Sequence, residues 1–183
     1  MCIRDRRDRV HIVNNEYGEC PLKLQYAHVY AVERLHRETF SAKDAKDIQT
    51  LLAQLSPRRQ LPEENKIGLA LPNVSVWVAR VRENQKIVSM ATLATSPRSL
   101  RFIQTAGIWD VVTLKEHQRK GLAESILREL ISSARVGDPL YLELFSRPER
   151  IAAHNLYEKL GFTCIATATD TEGRHCYRYY LQP

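Results

Sequence analysis

No apolar run in the 183-residue chain approaches the ~20 residues that a membrane-spanning helix needs, so a spanning protein is not expected. A basic n-region followed by a short apolar h-region is also missing, and the cytoplasm is therefore the expected compartment. The four cysteines (Cys2, Cys20, Cys164 and Cys176) form no C-x-x-C pair. Neither of the last two lies near a histidine at metal-ligand spacing, so reduced thiols and no metal are expected. Among the seven glycines there is neither a G-x-G-x-x-G nor a G-x-x-x-x-G-K-[ST], which sets aside the dinucleotide fold and the P-loop. The few aromatic residues do not interleave with the arginines as they would on a base-stacking platform, so nucleic acid is not the expected partner. Internal repeats and low-complexity tracts are lacking too.

What is present is a surplus of positive charge, +6, which suits an anionic ligand or an acidic substrate. Part of it lies in "MCIRDRRDR". Residues 1–28 read as an irregular extension, disordered or non-native in part, and residues 29–183 as one domain with its own core. Within that domain "YAVERL" fits either strand or helix. The next segment has its own start signal, a capping box of Ser41 and Asp44, so a strand is preferred before it. Ile48, Leu51, Leu52 and Leu55 then make the i, i+3, i+4, i+7 stripe of an amphipathic helix. Pro62 with Glu63 and Glu64 predicts a second, short helix. "VSVWVARV", "KIVSMATLAT" and "FIQTAGIWDVVTL" predict three strands joined by short turns. A helix over roughly 119–136 follows, then the apolar strand "LYLELFS", the helix "PERIAAHNLYEKLG" and a terminal hairpin. In that hairpin Cys164 is expected roughly opposite Tyr179. The order β-α-α-β-β-β-α-β-α-β-β predicts a mixed α/β domain with a mostly antiparallel central sheet flanked by helices.

The stretch "HQRKGLA", residues 117–123, joins an apolar strand to a helix. First-turn amides have no intrahelical partner, and the macrodipole makes that end positive. Gly121 admits a ligand where a β-carbon would block it, and Arg119 and Lys120 add charge. Two readings stand on these residues alone: a phosphate site, or a basic turn that only closes a connection.

A resemblance bears on the choice. "QRKGLA" is similar to the Q/R-x-x-G-x-G/A signature of the GNAT acyltransferase superfamily, "DVVTL" resembles its acyl-CoA-binding strand, and "RIAAHNLYEKLGF" resembles its second hallmark helix. The likeness spans about residues 30–181. It implies a GNAT-like fold and an N-acetyltransferase (EC 2.3.1) that moves an acetyl group from acetyl-CoA to an amine by direct transfer. It further implies that the amides around Gln118, Arg119, Lys120, Gly121, Leu122 and Ala123 hold the pyrophosphate, and that the backbone of Val111, Val112 and Thr113 pairs with the pantetheine arm. Arg150 stands where many relatives carry a cofactor-contacting residue. Members often pair as homodimers. A non-catalytic acyl-CoA sensor, or a toxin-type enzyme acting on aminoacyl-tRNA, are the alternatives.

The chemistry needs a neutral amine, yet a lysine-like amine is neutral at pH 7 only about once in two to three thousand molecules. A base or proton-conducting water must offset about 4–5 kcal/mol. By the resemblance Tyr157 is the acid for the leaving thiolate; a core aromatic is the other reading. Glu143 is the first candidate base, with an ion pair or wet edge as its other reading, and Asp110 is the second. Many relatives read Glu-Asp where this chain has Trp109-Asp110, so Trp109 either lines the acceptor pocket or packs in the core. Arg58 and Arg59 lie where relatives shape the acceptor site, or simply form a solvated loop. His117 and His154 read as surface or helix-packing residues.

Overall fold

The computed structural model describes residues 26–55, 71–97, 104–134 and 141–181. They form a seven-stranded sheet of β1 (Tyr30–Leu35), β2 (Val74–Val81), β3 (Ile87–Pro97), β4 (Gln104–Thr113), β5 (Tyr141–Ser146), β6 (Thr163–Thr169) and β7 (His175–Tyr180). Strand order is β1-β2-β3-β4-β5-β7-β6. Every neighbouring pair is antiparallel except β4 and β5, which are parallel. Parallel neighbours need a crossover. Helix α2 (Leu122–Ala134) supplies it between β4 and β5, as the switch from strand to helical periodicity predicts. The mixed, mostly antiparallel architecture is that expected from the sequence.

Helix α1 (Ala42–Leu55) begins at the predicted capping box. The Ser41 amide and hydroxyl both donate to Asp44 Oδ2 at 2.9 Å, and the Asp44 amide donates back to Ser41 Oγ at 3.2 Å. Ile48, Leu51 and Leu52 turn inward, while Leu55 is half-buried at the end of the stripe. Helix α2 buries Leu122, Ile126, Leu127, Leu130 and Ile131 against the sheet. Burying each such side chain contributes about 1.5–3 kcal/mol. Helix α3 (Ile151–Lys159) stops at Gly161, whose φ of 92° is the left-handed conformation that glycine supplies after a helix.

Two local expectations need revision. Helix α2 starts at Leu122 and not near Arg119, because Arg119 (φ 60°) and Gly121 (φ 85°) are left-handed and cannot continue a helix. Cys164 faces Tyr177 and not Tyr179, because the β6–β7 register shifts between Ile165 and Thr169. The expected short helix after Pro62 and the Arg58–Arg59 loop fall outside the described residues, as does the extension up to residue 25.

Candidate active site

The site begins with a defect in β4. Between the pairs Thr92↔Trp109 and Met90↔Val112, two residues of β4 oppose one of β3. Such a bulge bends its strand and re-aims the side chains on it. Asp110 sits in it with φ 53°, a conformation that Asp tolerates better than most residues. On the other side of β4 the parallel pairing with β5 is confined to Ala106↔Leu142 and Gly107↔Glu143. Beyond those pairs the two strands part, and a cleft of about 700 Å³ opens between them.

Five residues singled out by sequence converge there: Trp109, Asp110, Val111, Arg150 and Tyr157 all line the cleft. Tyr157 is 5% exposed. Its hydroxyl makes no hydrogen bond to a described residue. Burial pushes its pKa up to about 12, so the phenol remains a proton donor through the neutral range. Arg150 is exposed and donates a long 3.4 Å bond to the Leu55 carbonyl, linking the start of α3 to the end of α1.

Glu143 lies elsewhere. It pairs across the sheet with Arg178 of β7, whose Nε is 2.8 Å from Glu143 Oε2 and whose guanidinium stacks 4.7 Å from the Tyr141 ring. The cleft wall does not include it. Glu143 makes an ion pair with Arg178, and Asp110 is a carboxylate that lines the cleft, as Tyr157 does.

The loop before α2 carries the second half of the site. The amides of residues 119–124 have no acceptor among the described residues; the first one used is that of Ser125, which donates to the Gly121 carbonyl at 2.9 Å. Arg119 and Gly121 are left-handed within this run, and alternation of left-handed residues is a feature of backbone turns whose amides receive anions. Gln118 and Arg119 are exposed there, Lys120, Gly121 and Ala123 are half-buried, and Leu122 anchors the turn in the core. Gln118 Nε2 and Gln54 Nε2 both donate to the Thr113 carbonyl, at 3.1 and 2.8 Å. The Val112 carbonyl accepts from Ser89 Oγ at 3.0 Å. Of the three strand residues expected beside a pantetheine arm, Val111 alone lines the cleft.

Residues not anticipated as lining include Phe145, Arg147, Glu149, Glu172 and Arg174. The last two come from the β6–β7 turn, where Arg174 pairs with Asp170, and no local motif places that turn over β5. Trp109 is 43% exposed and lines the cleft, so the core-indole reading fails. Its ring lies over Gly107, where a β-carbon would come within 2.5 Å of the indole Nε1. His154 is a packing residue: its Nε2 lies 3.0 Å from the Arg147 carbonyl, and its ring sits against His175 and Tyr177. Among the described residues no cluster of His, Cys, Asp or Glu is placed to hold a metal.

Comparison with known proteins bears on the whole arrangement. The acetyltransferase (GNAT) family model matches residues 29–162. An uncharacterized N-acetyltransferase, ycf52, of Pyropia yezoensis is 32% identical over 100 residues, 53% of each chain. Its counterpart in Porphyra purpurea is 29% identical over 97 residues, again 53% of each. The chain thus spans about half the length of these relatives. In structure it resembles an N-acetyltransferase from Staphylococcus aureus Mu50 (TM-score 0.68, 16% identity, covering 84% of this chain and 99% of that one). An acetyltransferase from Trypanosoma brucei superposes similarly (TM-score 0.63, 20% identity, 77% and 97% covered). The parted strands, the open run of amides and the family match over most of the chain agree: the protein belongs to the GNAT acetyltransferase family.

Proposed function

We propose that the protein transfers an acetyl group from acetyl-CoA to a primary amine of a small molecule or protein, by direct attack in a ternary complex. The observation that carries this reading is a pair of features toward the C-terminal end of β4: amides at residues 119–124 that have no acceptor among the described residues, and a cleft lined by Tyr157, a buried residue whose hydroxyl has no described hydrogen-bond partner. The amides suit a pyrophosphate. The cleft suits the thioester and the incoming amine.

In this scheme the amine nitrogen attacks the thioester carbonyl carbon, the carbon–sulfur bond breaks, and the amine's surplus proton leaves toward Asp110, directly or through water. The departing sulfur takes a proton from the Tyr157 hydroxyl, which is recharged from solvent. Asp110 is preferred to Glu143 as proton acceptor because it lines the cleft and Glu143 does not. Arg150, at the cleft rim, is placed to contact the acyl-CoA chain, and the exposed face of Trp109 to contact the acceptor. Among the described residues no cysteine lines the cleft, which accords with direct transfer rather than an acyl-cysteine intermediate.

The reading is tested by thiol release from acetyl-CoA, measured with and without a panel of primary amines. Release that depends on an amine supports it. Tight binding of acetyl-CoA with no release for any amine, protein amines included, identifies an acyl-CoA-binding module instead.

A further inference from the structure

The turn before α2 holds Arg119 at φ 60°, a conformation rarely taken by a residue with a β-carbon. Some contact must hold it there, and the contact comes from the far edge of the sheet. Tyr30, the first residue of β1, is 3% exposed. Its hydroxyl lies 2.8 Å from His117 Nδ1 and accepts a hydrogen bond from Lys120 Nζ at 3.0 Å. The two partners flank Gln118 and Arg119, so one hydroxyl spans the strained step. Lys120 Nζ also donates to the Glu116 carbonyl at 3.1 Å and lies 5.6 and 5.9 Å from the Tyr30 and Tyr26 ring centroids. The Tyr30 and His117 rings meet edge to face at 5.8 Å.

Lysine only donates, so the Tyr30 oxygen accepts from Lys120. Its own proton is then available to His117 Nδ1 when His117 is neutral with Nδ1 unprotonated. Burial, and then the charge of Lys120, hold the imidazole below its ordinary pKa and favour that form.

We propose that Tyr30 is a positioning residue for acyl-CoA: by gripping His117 and Lys120 it holds the amides of residues 119–123 in the open turn that receives the pyrophosphate. The inference rests on the acyl-CoA reading of that turn. It also reassigns Lys120, whose ammonium serves the grip and not a phosphate contact.

The test is Tyr30→Phe, which keeps the ring and removes the hydroxyl. The KM for acetyl-CoA rises about tenfold, the scale of losing hydrogen bonds to a charged group, while kcat and the acceptor KM stay within about twofold. With S-acetylpantetheine, which lacks the pyrophosphate, kcat/KM is the same in variant and wild type. Lys120→Met gives the same pattern, and the double variant is no worse than either single one, because both break one grip. An unchanged acetyl-CoA KM in Tyr30→Phe overturns the proposal. So does an equal loss with S-acetylpantetheine, which marks a general structural role, or additive losses, which mark Lys120 as a direct phosphate ligand. If Tyr30→Phe melts early, Lys120→Met alone reads the same split between the two thioesters. Wild-type protein that does not bind acetyl-CoA overturns the cofactor reading itself, an outcome distinct from a failed grip.

Discussion

Replacing Tyr157 with Phe lowers kcat by about a hundredfold or more, the scale of losing a positioned general acid, and leaves acetyl-CoA binding unchanged. The change removes one hydroxyl and nothing else that the fold uses. No described residue accepts or donates a bond at that oxygen, and the ring's contacts with Phe162 and Tyr177 persist in Phe. Thermal stability at neutral pH should therefore stay close to wild type, which separates a chemical loss from a folding loss. The raised pKa adds an independent signature. Burial lifts the folded phenol from 10.0 to about 12, so the folded state keeps this proton where the unfolded state releases it. The associated stability is fully present below pH 10 and is lost as pH rises toward 12. Tyr157→Phe lacks that loss, so its stability relative to wild type improves across the same alkaline window. A variant with wild-type kcat would remove Tyr157 from the mechanism.

Arg80→Met destabilises the fold by about 3–5 kcal/mol, the usual result of removing one partner from a buried ion pair. Arg80 is 8% exposed on β2 and reaches three groups: Asp44 at the start of α1, Glu33 on β1 and the Gln85 carbonyl at 3.1 Å. The carboxylate that caps α1 is thus also the counter-ion of a sheet arginine, which fixes the helix to the strand. For Asp44 burial alone favours the protonated form, but the bonds from Arg80 and Ser41 outweigh it and hold the pKa below 3.8. A depressed carboxylate stabilises above its unfolded pKa and loses that contribution as pH falls through the folded one. In Arg80→Met the Ser41 bonds remain but the guanidinium is gone, so burial weighs more heavily on the Asp44 carboxylate and the deficit against wild type should shrink as pH is lowered from 7 toward 4. Denaturant titrations at the two pH values check this. A deficit that stays below about 1 kcal/mol at pH 7 would mean that the triad contributes no more than a surface pair.

Much of this architecture is legible in the chain because each element carries its own period and punctuation. The Ser41–Asp44 box starts α1, the Leu122-to-Ile131 stripe makes α2, and Gly161 ends α3. The candidate site is legible where it coincides with local motifs, at residues 117–123, at Asp110 and Val111, and at Arg150 and Tyr157. The bulge at Asp110 is not, since it arises from a mismatch in residue count between β3 and β4 that neither strand shows alone. Glu143 has apolar strand neighbours, while the Arg178 that pairs with it lies thirty-five residues away and directly across the β5–β7 ladder. Trp109 reads as core by composition and is exposed because Gly107, two residues earlier on the same face, leaves the indole a place to lie along the strand. Each of these is a cross-strand or tertiary effect that the local pattern of a single segment does not carry.

The measurement that bears most directly on the account is calorimetric titration of acetyl-CoA into the wild type and into Gly121→Glu. The substitution puts a side chain and a negative charge where φ is 85° and the amides are open. Binding at about micromolar Kd in the wild type, weakened at least about a hundredfold in the variant, is the result predicted from losing a phosphate seat and adding a repelling carboxylate. No heat of binding in the wild type, or equal affinity in the two proteins, would contradict the account: the turn before α2 would then be a connection and not a seat for the cofactor.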